Sequence, residues 1–78
     1  MTTIDPRIVD ALRKADIDCD PEQLSPELSF KDNGIDSLDV MGLFLAIEEQ
    51  HAVKFTAEEA AEIRTPAQLA HALDGKLH

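Results

Sequence analysis

Gly34-Ile35-Asp36-Ser37-Leu38, running on into Asp39-Val40-Met41-Gly42-Leu43-Phe44-Leu45-Ala46-Ile47-Glu48-Glu49, is the stretch on which the fold of this chain turns. Gly34 can take a positive φ, Asp36 can cap, and Ser37 falls in the first turn of an amphipathic segment, the order expected of a tight turn that opens a helix. That helix is expected to run to about His51, with the Ser37 hydroxyl exposed at its start. At about 100° per residue, Val40, Leu43, Phe44 and Ile47 form one apolar stripe, and Leu38, Met41 and Leu45 form a second on nearly the opposite side. One stripe suffices to bury a helix in a small bundle. The second runs away from Ser37 and reads as a surface for a partner.

Working towards the N-terminus, the segment 16–36 has no sustained periodicity and carries Pro21 and Pro26. It reads as a long loop anchored by Leu24, Leu28 and Phe30, with a single helical turn over Pro21-Glu22-Gln23-Leu24. Asp16, Asp18, Asp20 and Glu27 fall at positions one, three, five and twelve of a calcium-binding EF-hand loop. Pro21 at the sixth position, where that loop needs glycine, argues against the motif. Before the loop, Asp5 can cap a helix that starts at Pro6 and runs to about residue 15, with Ile4 stapled against Val9. Ile8, Val9, Leu12 and Ala15 make its buried face, and Arg7, Arg13 and Lys14 face solvent.

Towards the C-terminus, Val53 and Phe55 point inward from a connection, and Thr56-x-x-Glu59 is a capping box that opens a short helix to about residue 63. Ala60 and Ile63 are its expected buried residues, with Glu58, Glu59 and Glu62 exposed. Thr65-Pro66-Ala67-Gln68 is a second capping box, opening a last helix through Leu69, Ala70, Ala72 and Leu73 that Gly75 is expected to stop. The fold class is therefore all-α: a small four-helix bundle of three longer helices and a short third, with a long loop between the first two.

Seventy-eight residues allow one domain, 1–78, with a single small core. The 16 acidic and 7 basic residues leave a net charge of −9, which disfavours nucleic acid and anionic membranes and favours basic protein partners. No stretch is long and apolar enough for a membrane span, and no secretory leader is visible. A lone cysteine, Cys19, cannot form an internal disulfide, so a reducing cytoplasmic location is expected. Asp18 and Asp20 beside it disfavour a thiolate, and Cys19 reads as an inert loop residue.

Two chemistries are open to Ser37. As a nucleophile it would need a base, but His51 lies about 21 Å further along the same helix, too far for a hydrogen bond. His71 belongs to another helix, and His78 is the last residue. The histidine spacings match no metal site either. Alternatively, the free N–H groups and positive dipole end of the helix start suit a phosphate esterified to Ser37.

Gly-Ile-Asp-Ser-Leu in the middle of a short acidic chain resembles the attachment motif of acyl carrier proteins. The resemblance extends over the amphipathic first segment, Leu38-Asp39, Ala46-Ile47-Glu48-Glu49, the 56–63 segment and Thr65-Pro66. It implies a covalent carrier rather than an enzyme: Ser37 would receive 4′-phosphopantetheine from coenzyme A through a phosphopantetheinyl transferase, with Gly34 and Asp36 setting the turn. Acyl groups would ride as thioesters for fatty-acid, polyketide or specialised lipid synthesis.

The resemblance further implies that Leu38, Asp39, Met41, Leu45, Glu48, Glu49, Glu58 and Glu59 dock acyl-loading, condensing and acyl-transfer enzymes. Cargo would shelter between the second and third helices against Val40, Phe44, Ile47, Ala60 and Ile63, in a monomeric protein. Three positions depart from the family pattern: Gly42 on the expected docking side, His51 at the helix end, and Phe44, bulky for a cavity lining. The readings set against this one are an unmodified acidic helical adaptor for a basic partner and, closer to it, an aminoacyl or peptidyl carrier.

Overall fold

A computed structural model describes residues 4–77. Four helices follow in order: α1 (Pro6–Lys14), α2 (Ser37–His51), α3 (Ala57–Glu62) and α4 (Pro66–Lys76), with one 3-10 turn (Pro21–Gln23) inside the long loop. Among the described residues there is no strand. The bundle is the one expected, and its starts follow the capping residues in the sequence. Asp5, Asp36, Thr56 and Thr65 each accept a hydrogen bond from a first-turn backbone N–H, and the two threonines complete reciprocal capping boxes with Glu59 and Gln68.

The core is a single cluster in which Ile8 and Leu12 of α1 meet Leu43 and Ile47 of α2 and Leu69 and Leu73 of α4, all essentially inaccessible. α1 is the element against which both α2 and α4 pack. Ion pairs at the rim join the same elements: Arg7 to Asp74 at 2.7 Å and Lys14 to Glu49 at 3.5 Å. Arg7 therefore does not simply face solvent as expected. It lies half-buried between Asp5 and Asp74, because its fork-shaped guanidinium can reach both carboxylates at once.

Helix ends follow the sequence less closely than helix starts. α1 ends with Asp16 at φ +57°, its N–H donating to the Arg13 carbonyl and the Ile17 N–H to that of Leu12. α2 ends with Ala52 at φ +54°, the Val53 N–H returning to Glu48. Both are left-handed caps without glycine. Gly75, expected to stop α4, lies inside its last turn instead, and the cap is Leu77. The turn continues because Lys76 finds tertiary partners: its ammonium lies 3.0 Å from Glu59 Oε2 and 5.3 Å from the centre of the Phe55 ring. α3 is also one residue shorter than expected, with Ile63 an extended C-cap.

Gly42 and Ala52 each occupy a position that suits the other residue. A Cβ at Gly42 would meet Ala15 Cβ at 3.8 Å, an ordinary contact, while Ala52 holds a left-handed φ on the surface. Gly42 thus faces the end of α1, not the docking side where the sequence placed it. Gly42→Ala and Ala52→Gly are each expected to add about 1 kcal/mol by removing a helix-interior glycine and a left-handed alanine. Each is expected to raise the melting temperature by about 4–8 °C in a domain of this size, and calorimetry of the single and double variants checks it.

Asp5 carries a pH dependence. Its carboxyl is held below the usual aspartate range, chiefly by the hydrogen bond from the Arg7 side chain, with burial opposing. A carboxyl lowered on folding contributes stability above its unfolded value, about 3.9, and that contribution is lost as pH falls through the lower folded value. Asp5→Asn keeps a capping oxygen and removes the charge. It is expected to cost about 0.5–1 kcal/mol at pH 7 and progressively less as pH falls from the unfolded value through the lower folded one. Urea unfolding across that pH range checks both ends.

Candidate functional site

The turn before α2 is built as a helix ending. Phe30–Asn33 makes one helical turn that stops at Gly34, φ +84°, with the Ile35 N–H donating to the Phe30 carbonyl and the Gly34 N–H to that of Lys31. This paired closure puts Phe30 and Ile35 into the core. A Cβ at Gly34 would meet nothing, so glycine is needed there for its φ and not for space.

Asn33, to which the sequence drew no attention, holds the preceding loop. Its side-chain oxygen accepts from the Ser25 N–H at 2.8 Å, and its amide nitrogen donates to the carbonyls of Ser25, Leu28 and Ser29. Its only sequence signal is that asparagine before glycine favours such endings. The loop is tied across the bundle by Phe30 N–H to Arg64 O at 2.8 Å and Ala67 N–H to Pro26 O at 2.9 Å. Leu24 and Phe30 are buried as expected, but Leu28 is 47 % exposed. Ile35 is the core anchor in its place, because Leu28 stands on a bend while Ile35 follows the glycine into the core.

Ser37 is the first residue of α2 and is exposed, and its hydroxyl makes no hydrogen bond among the described residues. Asp36 Oδ1 accepts from the Asp39 N–H at 2.9 Å, leaving the Ser37 and Leu38 N–H groups unpaired within the described chain. The site therefore presents a free hydroxyl and two free donors on a rigid helix start, flanked by Asp36 and Asp39. Beyond it, Leu38, Met41 and Leu45 are 76 %, 62 % and 58 % exposed on one side of α2, while Leu43, Phe44, Ala46 and Ile47 are buried on the other. The two stripes take the two environments expected of them, except that Val40 of the inner stripe is only half-buried.

The acids around this stripe divide. Glu58 and Glu62 are exposed, and Glu49 is exposed but pairs with Lys14. Glu48 is half-buried, and its Oε2 accepts from the Phe55 N–H at 2.8 Å. Glu59, expected to be exposed, is half-buried, and its carboxyl is held below the usual range by the Thr56 N–H and then by Lys76. It acts within the fold because the capping box points it back across the start of α3.

Between α2 and α3 an open, mostly apolar groove of about 230 Å³ is lined by Met41, Phe44, Leu45, Glu48, Phe55 and Ala60. Of the five residues expected to shelter cargo, Phe44 and Ala60 line it. Ala60 is half-buried rather than buried. Val40 is half-buried off the groove, and Ile47 and Ile63 belong to the closed core. Phe55 is the lining residue that the sequence placed only as inward-pointing. It stands edge-on to Phe44, centroids 5.2 Å apart and planes at 80°, a contact worth about 0.5–1.5 kcal/mol beyond burial.

The remaining candidates lie elsewhere. His51 is half-buried at the end of α2, His71 is exposed on α4 in a cleft with Asp5 and Asp74, and His78 lies outside the described residues. The Cys19 thiol is half-buried, and burial, then Asp18, Asp39 and Asp20, push its pKa up, away from a reactive thiolate.

Comparison with known proteins follows this geometry closely. The family model described as the phosphopantetheine attachment site matches residues 7–73, from the first turn of α1 to the buried Leu73 of α4. The acyl carrier protein of Thermosynechococcus vestitus is 34 % identical over 70 residues, 88 % of this chain and 86 % of that protein. That of Bdellovibrio bacteriovorus is 32 % identical over 74 residues, 94 % of each chain. Among solved structures, the acetyl form of the actinorhodin acyl carrier protein of Streptomyces coelicolor superposes with a TM-score of 0.72 at 29 % identity, covering 99 % of this chain and 91 % of that one. With the attachment-site model spanning nearly all of the bundle and relatives matched over most of their length, this chain belongs to the acyl carrier protein family.

Proposed function

We propose that Ser37 carries 4′-phosphopantetheine, received from coenzyme A through a phosphopantetheinyl transferase, and that acyl groups ride on the thiol of that arm as thioesters. The observation that carries this reading is the free Ser37 hydroxyl on the first turn of α2, set by the Gly34 turn and the Asp36 cap inside the segment matched by the attachment-site model. Once esterified, the phosphate would lie beside the unpaired Ser37 and Leu38 N–H groups, in the favourable end of the helix field. The protein makes and breaks no bond of its own in this scheme. It presents cargo.

Partner enzymes are read as docking on Leu38, Met41 and Leu45 as apolar contacts, with Asp36, Asp39, Glu49 and Glu58 around them and basic residues facing them. Exposed charge contacts of about 0.2–1 kcal/mol each favour fast, salt-sensitive and brief encounters, which a shuttle among several enzymes needs. We read the single domain 1–78 as a monomer that works in the cytoplasm. A net charge of −9 supports basic partners over membranes or nucleic acid, and among the described residues no helix is long and apolar enough to cross a membrane.

Intact mass before and after incubation with coenzyme A and a broad-specificity phosphopantetheinyl transferase tests the reading. A gain of one phosphopantetheinyl group is expected. No gain, with a known carrier modified in the same tube, would leave an unmodified adaptor binding through the exposed stripe.

A further inference from the structure

Phe55 is held from three directions. Its N–H donates to Glu48 Oε2 at 2.8 Å, its ring stands edge-on to Phe44 at 5.2 Å, and the Lys76 ammonium lies 5.3 Å over its face. Lys76 is itself fixed by Glu59, 3.0 Å from Oε2. Residues of α2 and α4 thus converge on this one residue of the 52–56 connection, with Glu59 of α3 acting on it only through Lys76, and its ring forms part of the wall of the groove between α2 and α3. Ile47 and Ile63 do not line the groove and belong to the buried core against which Phe55 packs.

We infer that Phe55 is the residue that limits the length of acyl chain this protein shelters, with Lys76 holding it shut. The inference rests on the carrier reading above and deepens it by naming the class of cargo: short acyl groups enter the groove, and long saturated chains stay outside. The volume agrees. At about 30 Å³ for a water-sized group, a groove of about 230 Å³ that is also open to solvent takes at most about eight methylene-sized groups, short of a dodecanoyl chain. A longer chain could advance only by turning the Phe55 ring away from Phe44, which would also break its contact with the Lys76 cation.

The test uses the full chain loaded with acetyl, hexanoyl or dodecanoyl groups from the corresponding coenzyme A thioesters, with single loading verified by intact mass. Failure to load is seen at that step and strikes the carrier reading, before chain lengths are compared. Backbone amide shifts and melting temperature are then read against the unacylated, arm-bearing protein.

In the wild type, hexanoyl is expected to move the amides of Met41, Phe55 and Ala60, and dodecanoyl is expected to add neither further shifts nor a higher melting temperature. In Phe55→Ala, dodecanoyl is expected to reach Ile47 and Ile63, move their amides and raise the melting temperature above that of the hexanoyl form, since a buried ligand stabilises the fold that binds it. Lys76→Met, which removes the cation and the Glu59 pair but keeps an apolar stem, is expected to show the same gain more weakly, and decides the matter where Phe55→Ala does not fold. A dodecanoyl chain that already reaches Ile47 and Ile63 in the wild type overturns the inference, as does a folded variant that behaves as the wild type does.

Discussion

Ser37→Ala is expected to accept no phosphopantetheinyl group under conditions where the wild type gains one, while its unfolding curve stays where it was. The first half follows from chemistry: alanine has no oxygen to form the phosphate ester. The second follows from structure. The Ser37 hydroxyl is exposed and makes no hydrogen bond among the described residues, and Asp36, not Ser37, caps α2. Alanine is a good helix former in the first turn, so the change in stability should lie within about 0.5 kcal/mol. Intact mass and urea unfolding on the same preparation separate the two statements. A mass gain that survives in Ser37→Ala would move the attachment to another hydroxyl and sink the assignment of Ser37.

Leu43→Ala is expected to have the largest effect on folding of any single change considered. Leu43 is fully buried in the core where α2 faces α1, and removing its side chain leaves a cavity that rigid neighbours cannot fill. Such changes cost about 2–5 kcal/mol, against a total stability of about 4–12 kcal/mol for 78 residues. Loss of roughly half the stability is therefore expected, and a chain at the low end of that range would unfold at room temperature.

Met41→Ala, two residues away, supplies the contrast. Met41 is 62 % exposed, and its truncation should cost no more than about 0.5 kcal/mol. The pair tests the division of α2 into two stripes, because the residues differ little in hydrophobicity and greatly in surroundings. Equal losses at Leu43 and Met41 would mean that the outer stripe is also packed, and the docking surface would have to be sought elsewhere. Weak binding of a partner enzyme by Met41→Ala, with stability intact, is the companion expectation.

Acidic residues show why surface chemistry is hard to read from a chain. Glu48 and Glu58 look alike in sequence, one near the end of a helix and one near the start of the next. In the fold, Glu48 turns inward to take the Phe55 N–H, while Glu58 remains free on the surface. Arg7 differs from Arg13 in the same way: one bridges Asp5 and Asp74, and the other stays exposed on the same helix. In each case the deciding partner lies on another element or across a turn, beyond the reach of local periodicity.

By itself the sequence determined the number and order of helices, where each begins, which face of α2 is buried and where the candidate serine stands. Helix starts are written locally, in a capping side chain that reaches two or three residues along the chain, as Asp5, Asp36, Thr56 and Thr65 do. Buried faces are written in a spacing of three and four residues. Only the tertiary structure decided where the helices end, how the long loop is held and what closes the groove. Asp16 and Ala52 take left-handed caps without glycine, Gly75 passes inside a helix whose last lysine has partners on α3 and at Phe55, and Asn33 gathers a loop eight residues deep. The reason is common to all of them. These features depend on contacts between residues distant along the chain, or on backbone conformations that packing enforces against local preference, and neither leaves a periodic mark in the sequence.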